Sequence, residues 1–478
     1  MKSFKRILTA FIFVFLGCTP TSVDRSEPIK ERIISEMSIK KEQVLPEEAE
    51  KELKISGKNF VRVGIIENES NILFSFSGMF SIYSGEKIIF TKKRSSGSWK
   101  VTTKGNETIL ENIQTGEKID VNKALIFKPE QISCYVRIGK IQSGKGWHWE
   151  ETKSRSYKGN IEFININGKI TVVNEVGIEQ YLNGVVPSEM SAQSPVEALK
   201  AQAILARTNI YSKIGKKYKD KPYSLSSDVY SQVYTGIDNI TERASRAVDD
   251  TRGMVLTFNG KPLEAFFHSV CGGHLESNEI IWGGEHLPYL EPKPCGDSKS
   301  FNYGDLSKET NFKKWIDSKP ESYCNIENKN LEPGLDFAKK YHRWELKVDR
   351  KKLENTIKST TGTDIGDLKD ITVLGRGESG KAKSVKITGS KTSITINKEL
   401  NIRKQLGRPP LYSANFYVEK IKTGKNGLAE SFVFKGAGFG HGTGMCQIGA
   451  CGMASEGKNF IEILNFYFSG SKITEIDK

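Results

Sequence analysis

Much that would mark a familiar class of protein is missing from this chain of 478 residues. There is no Gly-Lys-Ser/Thr after a glycine-rich loop, which excludes a P-loop nucleotide site. There is no His-Glu-x-x-His or comparable set, which argues against a metal-dependent hydrolase. No internal repeat is visible, so a solenoid or array is excluded. Beyond the extreme N-terminus no segment is long and apolar enough to cross a bilayer. Positive charge is plentiful, with 71 Lys+Arg against 57 Asp+Glu and a formal net charge of +14. It is scattered, however, and forms no compact basic arm, so no nucleic-acid partner is expected. A solvated basic surface remains, able to attract anionic lipid or anionic glycan. Cysteine is scarce too: Cys18, Cys134, Cys271, Cys295, Cys324, Cys446 and Cys451 are all there are.

What is present begins with a length sufficient for two or three domains with their own cores. Hydrophobic residues make up 37% and aromatics 10%, a composition that packs rather than one that stays disordered. At the N-terminus Lys2, Lys5 and Arg6 precede an apolar stretch from Ile7 to Leu16. That stretch is too short to span a membrane but suits the h-region of a secretory signal. It ends in Phe15-Leu16-Gly17-Cys18, a small residue directly before a cysteine, which resembles a bacterial lipobox. Phe15 stands where leucine is usual. The resemblance implies export, cleavage after residue 17, acylation of the Cys18 thiol and attachment to a membrane. Of the other six cysteines, all in an exported chain, disulfides, free thiols and metal ligands are each open.

Composition and periodicity divide the chain further. Residues 1–18 form the signal. Residues 19–55 are rich in Glu, Lys, Ser and Pro and suit a polar tether. Residues 56–150 form an N-terminal β-rich region, with runs such as Phe60–Ile66, Ile72–Phe76 and Lys87–Phe90 broken by turn residues. A core covers 151–300. In it Ile161–Ile170 alternates and turns at Asn167-Gly168, a hairpin signal. Then the period becomes helical. Ser194-Pro195-Val196-Glu197 looks like a capping box with proline at the first helical position, and Val196, Leu199, Ala203, Ala206 and Ile210 follow on one face. A second helix is expected from Thr241 to about Asp249 and another from Ile461 to Phe468. Residues 301–425 read as an insertion in the core or an extension of it, and 426–478 as the core's C-terminal part. The fold class is α+β: a β-rich core with a few helices.

Three segments carry a resemblance that the pattern alone does not. One runs from Asn174 through Tyr181-Leu182-Asn183-Gly184-Val185-Val186-Pro187-Ser188-Glu189-Met190 and Glu197–Ala203 to Ala206-Arg207-Thr208. Another comprises Gln232-Val233-Tyr234-Thr235-Gly236, Phe267-His268-Ser269, Gly272-Gly273 and Trp282-Gly283-Gly284. The last is Gly438-Phe439-Gly440-His441-Gly442-Thr443-Gly444-Met445-Cys446-Gln447-Ile448-Gly449-Ala450. In order and spacing they resemble the SpoIID/LytB family of envelope proteins, from about Tyr157 to Gly470. The family comprises sporulation-type lytic transglycosylases and amidase enhancers. It usually has serine where Cys446 stands.

The resemblance implies a protein of the bacterial cell envelope that acts on peptidoglycan glycan strands, with Glu189 as catalytic acid and base at the start of a helix. A lytic transglycosylase needs one such carboxyl, because the muramyl C6 hydroxyl is the internal nucleophile. The neighbours Val185, Val186, Pro187 and Met190 would lift its pKa. Glu179 and Glu197 are read instead as a helix-face residue and the partner in the capping box. Arg207 is a candidate to hold a lactyl carboxylate or to position Glu189. Gln232 and Tyr234 are candidates to hydrogen-bond or stack on sugars, and His441 and Gln447 to contact substrate. The five glycines from Gly436 to Gly444 would permit close backbone approach or positive φ. The chemistry requires no cofactor. His268 and Cys271, with Cys295 as third ligand, suggest a structural zinc, while a Cys271–Cys295 disulfide is the competing reading. Enzymatic cleavage and a non-catalytic role, binding murein and stimulating an N-acetylmuramyl-L-alanine amidase, both follow from the family.

Overall fold

The structure is a computed structural model, and it describes residues 59–476 apart from 96, 215, 425 and 426. The signal segment, the tether and Cys18 lie outside the described residues. Strand formation follows the period-two alternation. In Asn71–Ser77 and Ser98–Lys104 every second side chain is buried, so each strand has one interior face.

Two sheets result. One orders Leu225–Ser226, Phe60–Glu69, Lys169–Gly177, Asn160–Ile166, Leu125–Pro129, Met79–Ser84 and Lys87–Arg94. The other orders Glu151–Tyr157, Tyr135–Ser143, Asn71–Ser77, Ser98–Lys104, Glu107–Asn112 and Lys118–Val121. Aromatic rings join their facing sides. Phe74 of the second sheet meets Phe127 and Phe163 of the first at centroid distances of 5.2 and 4.8 Å. Trp99 is fully buried beside Phe76 and Phe90. Both sheets draw strands from either side of residue 150. The Asn167-Gly168 hairpin forms as its dipeptide requires, with φ of 53° and 81° at the two turn residues.

Beside the sheets lies a helical layer organised around Val196–Lys213. This helix contacts Ile178–Glu189, Glu242–Asp250, Gln447–Ser455 and Phe460–Tyr467, and the strand Met254–Phe258. The single apolar face expected from its spacing understates its burial. Gln202, Arg207, Thr208 and Asn209 are buried as well as the aliphatic positions. Each of these polar side chains is hydrogen-bonded. The Thr208 hydroxyl accepts from Leu256 N at 2.8 Å, and Asn209 Nδ2 donates to Ala265 O at 2.9 Å.

The expected start of this helix is corrected. Pro195 is the N-cap itself, and no side chain caps the end. Glu197, read as the capping partner, instead accepts from Phe460 N at 2.8 Å and pairs with Lys200. The tertiary neighbour offered unsatisfied helix-terminal donors of its own, and these took the carboxylate. Two other helix starts lie within a residue of where the sequence places them. Thr241 accepts from Ala244 N to cap Glu242–Asp250. Asn459 and Glu462 form a capping box at Phe460–Tyr467.

Residues 301–425 contribute to a second apolar core. The strands Trp344–Asp349, Ala429–Gly436 and Phe416–Thr423 form one small sheet, and Leu368–Arg376, Ala382–Gly389 and Ser393–Asn397 another. The helices Arg350–Thr361 and Glu399–Leu406 pack with them around Leu353, Ile357, Val385 and Phe432.

Candidate functional site

Glu189 does not open a helix, as expected, but closes one, Ile178–Glu189. The residue two before it is Pro187, and proline is most common in a first turn. Here it stands in the last turn, close enough to the end that little helix is left to disrupt. Ser188 finishes the turn, its hydroxyl donating to Gly184 O at 2.6 Å and meeting Thr235 Oγ1 at 2.7 Å. Met190 is already extended.

This placement sets the chemistry of the carboxyl. Loss of hydration pushes the Glu189 pKa up to about 7, against lowering by the Val233 N–H and the charge of Lys213. The negative pole of the helix acts in the raising direction as well. Val233 N donates to Oε1 at 2.7 Å. Lys213, in the last turn of the central helix, is drawn down by burial and by Lys217, and held up by Glu264 and Glu189. A carboxyl that titrates near neutrality, beside a cation, is suited to give and take a proton. Gln447 completes the support: Nε2 donates to the Glu189 carbonyl at 3.1 Å and to Gln202 Oε1 at 3.3 Å.

Of the other expected substrate contacts, several are part of the framework. Arg207 is 1% exposed, and its guanidinium grips Glu179 at 2.8 and 2.6 Å and donates to the carbonyls of Met254 and Val248. A guanidinium so enclosed has no face left for a lactyl carboxylate, so Arg207 and Glu179 are a structural pair. Tyr234 is buried, donates to Asn174 Oδ1 at 2.9 Å and packs against Tyr157 and Tyr181. Gln232 is buried too, its Nε2 donating to Ala206 O at 3.3 Å. The group of this segment that reaches Glu189 is the main-chain N–H of Val233, between them. A backbone amide leaves no side-chain signature, and Lys213 lies in no motif, so sequence reading missed both. Tyr230 and Val229, just before that segment, are exposed.

The glycine-rich segment lies against Phe266–Gly272. Met445–Cys446 pairs in parallel with Phe267–His268, and Phe439 bridges Val270. A Cβ at Gly444 would lie 2.1 Å from Phe266 O, and one at Gly438 would lie 2.8 Å from Val270 O. Both glycines have positive φ. Their smallness therefore serves an approach of backbone to backbone. His441 is locked within this pairing: Nε2 donates to Phe267 O at 2.8 Å and Nδ1 accepts from Thr443 N at 3.2 Å. Burial and the neighbouring His268 hold it well below its usual pKa, so it is neutral. Its ring lies 4.9 Å from that of Trp282, which is 38% exposed.

The expected metal ligands separate. His268 stands 5.2 Å from His441, ring to ring, with Nδ1 on Thr443 O. Cys271 and Cys295 come together instead with Cys324 and Cys446, all buried and all free. The Cys271–Cys295 disulfide is absent, as is a Cys446–Cys451 pair. Cys324 and Cys446 were not read as ligands, because the segments that carry them are far apart in the chain and share no spacing motif.

With this geometry established, comparison with known proteins is informative. The family described as Stage II sporulation protein (SpoIID) matches residues 166–258, and a domain of unknown function (DUF8618) matches 276–444. An uncharacterized protein of Brachyspira hyodysenteriae is 32% identical over 323 residues, covering 67% of this chain and 73% of that protein. The amidase enhancer of Bacillus subtilis is 29% identical over 398 residues, 79% of this chain, but the match spans only 50% of that relative. Stage II sporulation protein D of Bacillus amyloliquefaciens is 30% identical over 320 residues, covering 64% of this chain and 76% of that protein.

Two outcomes test this reading of the site. Arg207→Met leaves the Glu179 carboxylate without its partner and should cost about 3–5 kcal/mol in urea unfolding; a side chain that served only substrate would leave the unfolding curve in place. The second concerns pH. Because the folded-state pKa of Glu189 is raised from 4.5 to about 7, the folded protein holds a proton that the unfolded chain has lost. Stability from this group is therefore full below the unfolded value and declines as pH rises through that window. Glu189→Gln should match wild type near the lower end and exceed it above the upper end by on the order of 1–3 kcal/mol, read by melting temperature.

Proposed function

The chain belongs to the SpoIID/LytB-type family, and on that premise we propose that it is a lytic transglycosylase that cleaves peptidoglycan glycan strands in the bacterial envelope. The observation that carries this reading is Glu189, a carboxyl titrating near neutrality with one oxygen anchored by Val233 N. At neutral pH a substantial fraction of such a group is protonated and can act as an acid, which an ordinary surface glutamate cannot.

In the proposed reaction Glu189 gives its proton to the glycosidic oxygen as the bond to the muramyl C1 breaks. The carboxylate left behind faces the charge of Lys213. It then takes the proton of the muramyl C6 hydroxyl as that oxygen bonds to C1 and closes the 1,6-anhydro ring. No water is consumed, and Glu189 ends as it began. One carboxyl suffices, unlike the pair of a hydrolysing glycosidase. Val233 and Gln447 position Glu189 through its side chain and its main chain. Strands stripped of stem peptides expose lactyl carboxylates, which the net charge of +14 would attract. Acylation of Cys18 would hold the enzyme to a membrane.

The likeness to an amidase enhancer supports a second reading, in which the chain binds murein and stimulates an amidase without cleaving glycan. Mass spectrometry of soluble products from peptide-free glycan strands separates the two. Wild type should release anhydro-muramyl fragments, and Glu189→Gln at least about 100-fold less. Above about pH 7 the wild-type kcat/KM should fall roughly tenfold per pH unit, as the acid form disappears. Reducing-end products would mean hydrolysis, and no release from either protein would favour the enhancer.

A further inference from the structure

We propose that Cys271, Cys295, Cys324 and Cys446 form a structural zinc site that ties the catalytic core to the 301–425 segment. The four Sγ atoms lie within 4.8 Å of one another, and all four residues are buried. Tetrahedral zinc with Zn–S bonds of about 2.3 Å separates its sulfurs by roughly 3.8 Å. The cluster is thus already close to the size that the ion requires. The sulfurs of Cys271 and Cys324 are 3.4 Å apart, and the described cysteines are all free.

The surroundings fit thiolates rather than four packed thiols. Three backbone N–H groups point at sulfur: Cys271 N and Gly449 N at Cys446 Sγ, at 3.2 and 3.3 Å, and Gly273 N at Cys271 Sγ, at 3.4 Å. Donors of this kind orient metal-bound thiolates and stabilise their charge. The Tyr467 hydroxyl lies 3.4 Å from Cys295 Sγ and the Ser322 hydroxyl 3.5 Å from Cys324 Sγ. Gly449 leaves room for this packing, since a Cβ there would lie 2.2 Å from the Tyr467 oxygen and 3.0 Å from Cys295 Sγ.

Charge agrees as well. Zinc with four thiolates carries a net −2, which a buried site tolerates only beside cations. Arg343 is partly buried against the same turn, donating to Gly272 O at 2.7 Å, and interacts with both Cys324 and Cys271. The buried Lys381 also lies within electrostatic reach of Cys271. Lys381 interacts more strongly with Glu399 and Glu276, so Arg343 is the main counter-charge of the cluster.

The ligands come from separated segments, and one adjoins the catalytic site. Cys446 is the N-cap of Gln447–Ser455, and Gln447 holds the Glu189 carbonyl. Cys324 lies in the segment that leads to Arg343 and the second apolar core. The zinc has no open position and takes no part in bond cleavage, so the proposal stands whether or not the chain is an enzyme.

Metal analysis of the purified protein, prepared without chelator, tests this directly. About one zinc per chain is expected, released by a mercurial thiol reagent together with the reactivity of four thiols. Cys324→Ser and Cys446→Ser should each lower the zinc content at least about tenfold, while Cys451→Ser and Cys134→Ser keep it. Should the cluster variants not fold, wild type is stripped in denaturant with chelator and refolded with and without Zn²⁺ alone. The zinc-refolded protein should melt higher. The proposal is overturned if native protein contains no zinc, if peptide mapping finds these cysteines in disulfides, if iron occupies the site, or if refolding is indifferent to Zn²⁺.

Discussion

Enclosure of one helix governs the rest of the molecule. Val196–Lys213 is covered on several sides by other helices and a strand, so its polar side chains must find partners within the protein. Those partners come from the segments that build the site. Arg207 reaches Glu179 on the helix that ends in Glu189. Gln202 reaches Gln447, which in turn holds the Glu189 backbone. Lys213, at the far end, supplies a charge that favours the ionised carboxyl. The position and protonation of Glu189 are thus consequences of how a buried polar helix is satisfied.

A second constraint is backbone proximity. The segment Gly436–Gly444 and the strand residues Phe266–Gly272 lie so close that side chains are not tolerated at Gly438 and Gly444. That pairing places His268 beside His441 and Cys271 beside Cys446. The histidine of the motif is thereby fixed as a neutral hydrogen-bonding element of the turn, and Trp282 packs on it at the surface.

The misreadings share a cause. Arg207 lies in the segment that contains Glu189, and Gln232 and Tyr234 in the next of the three segments, and such motifs invite the view that each polar member meets substrate. Their burial and their partners, Glu179, Ala206 and Asn174, assign them to the framework. Glu189 likewise was expected at the start of a helix, whereas it stands at an end. In both cases the residue types were informative, but exposure and direction depend on neighbours remote in the chain.

By itself the sequence determined the local elements: the alternation of the β-rich region, the Asn167-Gly168 hairpin, the Thr241 cap and the helix near Phe460, because each depends on residues a few positions apart. It also singled out Glu189, through a motif of contiguous residues. Only the tertiary structure decided that Glu189 ends its helix, that burial lifts its pKa against the opposing pull of Val233 and Lys213, and that His268 stands apart while Cys324 and Cys446 join Cys271 and Cys295. Burial, charge proximity and the convergence of four sulfurs are properties of residues distant in sequence, and no local pattern encodes them.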